Sequence, residues 1–125
     1  MKKINKEFLE AIEVRKNYLI ETLELNSNEL KWDNNTLILY KFNGKIALMN
    51  IRCDAQGDIT ILEKNIDSLK EEINYHKKLF KGIATRKEFQ EIKNYYKTLN
   101  IKKKNNNKYI VETLNLECYI VTIEE

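Results

Sequence analysis

Two runs of alternating apolar and polar residues meet at the dipeptide Asn43-Gly44, and no other feature narrows the fold of this chain as much. Thr36-Leu37-Ile38-Leu39-Tyr40-Lys41-Phe42 precedes it, and Lys45-Ile46-Ala47-Leu48-Met49-Asn50-Ile51-Arg52-Cys53 follows it. Alternation of period two gives each run one buried face, and Asn-Gly supplies the positive φ angles of a type I′ turn. The pattern predicts an antiparallel hairpin over 36–53. Asp54-Ala55-Gln56-Gly57-Asp58 reads as a second turn, with a third strand over 59–62.

On either side of this meander the period changes to about 3.6. Ile4, Phe8, Ile12, Leu19 and Leu23 fall at helical spacing over 4–25, and the cluster Asn26-Ser27-Asn28 ends that helix. A second helix over 63–81 carries Ile66, Leu69, Ile73 and Phe80, and Gly82 stops it. Thr85-Arg86-Lys87-Glu88 has the form of a capping box, in which Thr85 and Glu88 satisfy each other's backbone N–H groups. It opens a third helix with Phe89, Ile92, Tyr96 and Leu99 on one face. Strands are expected over 99–104, 108–114 and 116–123, the last rich in β-branched and aromatic residues. The order is α-βββ-αα-βββ, or α-ββ-αα-ββ without 59–62 and 101–104. Strand runs separated by helices predict a single α+β domain over 1–125, with antiparallel sheet packed by helices.

A chain of 125 residues is long enough to bury a core without staples. Its two cysteines, Cys53 and Cys118, sit in apolar runs and read as reduced, buried thiols. No apolar run approaches the ~20 residues of a membrane span, and the first residues return to charge before a secretory segment could form, so the expected compartment is the cytoplasm. Heavy use of Lys, Asn, Ile and Tyr, without proline, follows A/T-rich codons. Lysine abundance is therefore weak evidence for any partner; its distribution is better evidence.

The formal charge of +3 conceals a strong segregation. Residues 76–108 hold Lys77, Lys78, Lys81, Arg86, Lys87, Lys93, Lys97, Lys102, Lys103, Lys104 and Lys108 against Glu88 and Glu91, a net of about +9. Residues 109–125 carry −4 and the first 75 residues −2. Gathered on one face, these cations would attract and hold an anionic partner. Tyr75, Phe80, Tyr95, Tyr96 and Tyr109 are interleaved among them, as single-stranded nucleic acid would require. The order helix, Gly82 turn, helix, basic hairpin also allows a winged-helix arrangement, with Arg86, Gln90, Asn94 and Lys97 reading a groove. Against this stands the ordinary reading of a lysine-rich helix as solvated surface.

Several chemistries are missing. His76 is the only histidine, which excludes His-pair metal motifs; its spacing from Glu72 suggests a surface pair on a helix. Gly44, Gly57 and Gly82 are too dispersed to cradle a phosphate. Asp54 and Asp58 are explained by a turn. Glu29-Leu30-Lys31 and Glu91-Ile92-Lys93 have an E-x-K form but fall in a loop and a helix. Trp32 either closes the core beneath a loop or serves as an exposed anchor.

No enzymatic activity, cofactor or metal is expected. The expected function is that of a small regulator or inhibitor docking through a basic face on an anionic macromolecule, protein or ribonucleoprotein. Motif-poor chains of this composition are common in phages and mobile elements, where host nucleic-acid-handling or defence machinery is a frequent target. Trp32 is a candidate anchor. The alternative is direct binding of DNA or RNA by the helix at 86–98 and the loop at 102–108. An enzyme assembled from Asp54, Asp58, Glu63 and His76, or a homo-oligomer formed through the first helix, are remoter readings.

Overall fold

Strand and helix runs assemble as α+β in a computed structural model that describes residues 6–124. Ile4, assigned to the first helix by its spacing, and Glu125 lie outside the described residues. By its contacts the chain divides into two compact units. One runs up to Lys41 and includes Ile46–Lys70; the other comprises Phe42–Lys45 and the residues from Glu71 onward.

The first unit contains helix α1 (Lys6–Thr22) and strands β1 (Leu30–Asp33), β2 (Thr36–Lys41), β3 (Gly44–Cys53) and β4 (Ile59–Glu63), in the sheet order β1-β2-β3-β4. Each strand lies beside its neighbour in sequence. Alternation decides what is buried: Leu37, Leu39, Ile46 and Leu48 are essentially inaccessible. Asp54 stabilises the β3–β4 turn by accepting the backbone N–H groups of Gln56 and Asp58 at 2.9 and 2.8 Å, as its turn role requires. Arg15 of α1 grips the Glu63 carboxylate of β4 with both Nε and Nη2. β1 forms where the sequence suggests a loop. With four residues and only Leu30 buried, it leaves too short an alternation to register.

The hairpin stands, but its turn lies one residue earlier than the sequence suggests. Phe42 and Asn43, both at φ 55°, occupy the left-handed positions, and Gly44 opens β3. Gly44 is required for another reason. A Cβ there would sit 2.8 Å from His76 Cδ2, 2.9 Å from the Tyr119 hydroxyl and 3.1 Å from Glu117 Oε2. The left-handed Phe42 costs about 1–2 kcal/mol. Its ring packs 5.9 Å from that of Phe80, and the Tyr119 hydroxyl is shared between the Phe42 and Asn43 carbonyls.

In the second unit lie most of helix α2 (Ile66–Lys81), β5 (Ile83–Thr85), α3 (Arg86–Tyr95), β6 (Asn100–Asn105), β7 (Lys108–Glu112) and β8 (Cys118–Glu124). The sheet order is β5-β8-β7-β6. Strands β6, β7 and β8 form an antiparallel meander, but β5 runs parallel to β8, so this sheet is mixed rather than wholly antiparallel. Three residues are too few to give β5 a periodic signal. It also replaces the simple turn of a winged-helix reading with a strand. Gly82, at φ 73°, ends α2 as expected, its N–H reaching the carbonyls of Lys78 and Leu79. The capping box is present in full: the Thr85 hydroxyl accepts from Glu88 N–H, and Glu88 Oε1 accepts from Thr85 N–H.

Alternate positions of the meander face the helices. Tyr109 and Val111 on β7 and Tyr119, Val121 and Ile123 on β8 pack with Leu79, Ala84, Phe89 and Ile92. The intervening residues face away, and Ile120 is half exposed. Among the described residues no helix is long and apolar enough to cross a membrane.

Candidate functional site

The second unit carries the basic character. It holds twelve lysines and arginines against eight carboxylates, a net of +4, while the first holds ten against eleven. The cations singled out in 76–108 all belong to it, and all but the partly buried Lys78 are exposed.

They do not share one face. On α3, Arg86, Gln90 and Lys93 form a row at i, i+4 and i+7, with Lys87 a quarter-turn round and Lys97 in the following turn. The Lys93 ammonium lies 5.7 Å from the Phe89 ring centroid, and Phe89 packs 5.0 Å from Tyr109. Tyr109 is opposite Lys103, so Lys103 belongs to this helix-covered side. Lys102 lies opposite Ile110, and Lys108 opposite Thr122, which places both on the other side of the sheet. Lys104 falls at a register shift. Lys77 and Lys81 follow one another at i, i+4 on α2. Lys78 is ion-paired with Glu88, whose carboxyl pKa falls to about 2 because of that contact first and the Thr85 N–H second.

β6 is an outermost strand, which supplies a structural reason for Lys102-Lys103-Lys104. Charged side chains and a bulge on an unpaired edge discourage other chains from adding to it. Trp32 belongs to the first unit. It stands opposite the buried Leu37, on the core side of the outermost β1, and remains 38% exposed.

The interleaved aromatic rings are occupied with one another. Tyr75 lies 5.3 Å from Tyr95, and Tyr95 lies 4.9 Å from Tyr96, by ring centroids. Tyr109 rests on Phe89. Burial raises the hydroxyl pKa of Tyr95, and still more strongly that of Tyr96. Rings engaged in this way do not form a platform for bases.

Sequence spacing misplaced one cluster. Glu72 and His76 are both buried rather than forming a surface pair. Leu69, Glu72, His76 and Leu79 fall at steps of three, four and three, so the stripe that buries the leucines buries the polar residues too. That spacing was a usable signal. His76 Nδ1 lies 2.7 Å from the Tyr96 hydroxyl, which also lies 3.3 Å from the Glu72 carbonyl. We assign the Tyr96 hydroxyl as the donor and Nδ1 as the acceptor. The ring N–H then sits on Nε2, facing Glu117 Oε1 at 3.7 Å, beyond hydrogen-bond range. The Thr113 hydroxyl donates to the same Glu117 oxygen at 3.0 Å. Burial pushes the Tyr119 hydroxyl pKa up to about 12. Gly44 lies against this cluster, which is packed within the unit.

Cys53 and Cys118 are exposed, contrary to the buried thiols expected. Cys118 heads the alternation of β8, whose inward positions begin at Tyr119. Of the E-x-K groups, Glu29 ends a short 3-10 turn before Lys31 on β1, and Glu91 and Lys93 lie on α3. Among the described residues no group of three or more His, Cys, Asp or Glu side chains is placed to hold a metal. An open depression of about 210 Å³ in the first unit is lined by Thr36, Ala47, Asn50, Arg52 and Leu62, among others. No protein-family model, curated protein or solved structure matches the chain.

Proposed function

We propose that this chain is a small, non-enzymatic, cytoplasmic regulator that docks on an acidic protein surface through its second unit. The observation that carries the reading is the combination of exposed groups there. Lysines and Arg86 stand in solvent together with Phe80, Ile83, Leu114, Leu116 and Ile120, each about half exposed or more. Large apolar side chains beside cations suit a protein interface, in which an apolar centre is rimmed by charge. Direct nucleic-acid binding is less well supported. The tyrosines are packed together, and Arg86 is the only arginine among the candidate contacts. The biological setting we favour is interference with the nucleic-acid-handling or defence machinery of a host cell.

The test uses the full chain as bait in lysate treated with nuclease. A retained protein partner, released by salt and absent when Lys102, Lys103 and Lys108 are replaced by Glu, supports the reading. Fluorescence titrations with duplex and single-stranded DNA and RNA provide the opposing arm. A log–log salt slope of about −0.9 per phosphate contact on duplex, with the partner lost on nuclease treatment, would transfer the function to nucleic acid.

A further inference from the structure

We propose that the face of the second sheet turned away from α2 and α3 is the docking surface, and that its partner is an amphipathic α-helix with an acidic flank. This rests on the docking function proposed above and names the footprint and the chemistry of the partner.

Strand register defines the face. Ile83 of β5 stands beside Thr122 of β8, which stands beside Lys108 of β7. In the next row Ile120 of β8 stands beside Ile110 of β7 and then Lys102 of β6. Ile83 and Ile120 remain 50% and 52% exposed, although the opposite positions Val121 and Val111 are fully buried under the helices. The centre of the face is therefore apolar, and the side toward β6 is cationic. Glu124 and Glu112 stand in the rows beyond, at the two ends. An acidic flank confined to Lys102 and Lys108 complements this layout, because Glu112 and Glu124 stand outside that pair.

Width and edges choose a helix over a strand. Four strands at about 4.8 Å spacing span about 14 Å, close to the 10–12 Å diameter of a helix with its side chains. Strand addition would need a receptive edge. β6 is bulged and lysine-rich, and β5 has only three residues. Contact across the face remains, in the manner of an amphipathic helix presenting residues at i, i+3, i+4 and i+7.

The experiment titrates the full chain against a fluorescein-labelled synthetic helical peptide with a leucine stripe and one flank of glutamates. A second peptide carries lysines in place of the glutamates. The acidic peptide should bind with salt-sensitive affinity and the basic one should not. Ile120→Asp should weaken binding about tenfold or more. Ile83→Asp provides an independent variant should the first misfold, and circular dichroism verifies the fold of each. Lys102→Glu with Lys108→Glu should weaken binding about fivefold and flatten the salt dependence. Lys93→Glu, on the helix-covered side, should leave it unchanged.

Binding that survives Ile120→Asp and Ile83→Asp but is lost in Lys93→Glu overturns the footprint and leaves the docking function standing. Equal binding of both peptides, or of neither, overturns the acidic-helix partner. A wild-type dimer in sedimentation that Ile120→Asp dissolves makes a second copy the occupant and overturns the proposal. Nucleic acid bound more tightly than the acidic peptide overturns the docking function itself.

Discussion

The two sheets of this protein are built by different means. In the first, every strand pairs with its predecessor, and short turns set the order β1-β2-β3-β4. In the second, β5 pairs with β8, so Ile83 meets Thr122 across most of the second unit's sequence. Local turn chemistry accounts for most of the first arrangement, the β2–β3 turn beside Gly44 excepted. The second needs close approach between segments remote in sequence, and that is where glycines and buried polar groups do their work. Gly82 touches β8 so closely that a Cβ would lie 2.7 Å from the Ile120 carbonyl.

Hydrophobic packing should be common to both units, and truncating it gives the largest effects. Leu37→Ala in the first and Ile92→Ala in the second should each cost about 2–5 kcal/mol in urea unfolding, since both side chains are wholly buried. A small loss for one of them would mean that its sheet is held by something other than its apolar face. Glycines should then separate local from remote constraint. Gly44→Ala forces a methyl against His76 and Tyr119 and should cost about 1–3 kcal/mol by overpacking. Gly57→Ala, in the β3–β4 turn at φ 87°, should cost about 1 kcal/mol through backbone conformation. Equal losses would erase the distinction.

The buried polar cluster gives a smaller effect than the packing changes. Tyr96→Phe removes the hydroxyl from His76 Nδ1 and leaves a buried nitrogen without its closest partner. The expected cost is about 1–2 kcal/mol, read from the shift in the urea midpoint. No loss would mean that the imidazole changes tautomer, so that Nδ1–H donates to the Glu72 carbonyl 3.4 Å away.

The same contrast explains what could be read from the residues. The hairpin strands, the Asp54 turn, the Gly82 stop and the Thr85–Glu88 box are local signals, and each appears where expected, the hairpin's turn residues excepted. Both short end strands of the meanders, β4 and β6, appear as well. β5 was missed because three residues carry no period and their partner lies far along the chain. The turn slipped from Asn43-Gly44 to Phe42-Asn43 because a remote cluster, not the turn, claims the glycine. Segregated charge was legible as sequence, yet pleat alternation split Lys102 from Lys103, and no composition count could foresee that. Cys53 and Cys118 fell outside the core for a similar reason: Cys53 is the last residue of β3 and Cys118 the first of β8.

The smallest effect belongs to the start of α3, where local and remote constraints meet on one carboxylate. Glu88 completes the capping box and also pairs with Lys78 of α2. Thr85→Ala removes the local half and should cost about 1 kcal/mol. Glu88→Gln keeps a side-chain acceptor for the Thr85 N–H but removes the charge. The folded carboxyl titrates near 2, down from 4.5, so its ionised form is the one the fold favours. Its contribution is complete above the unfolded value and fades as pH falls from about 4.5 toward 2. Both partners are partly exposed, which limits the pair to under about 1 kcal/mol after solvent screening. Urea midpoints of the wild type and Glu88→Gln should therefore differ at neutral pH and converge as the solution is acidified through that window. A gap that persists at the acid end would assign the difference to the geometry of the cap, and the ion pair with α2 would carry none of it.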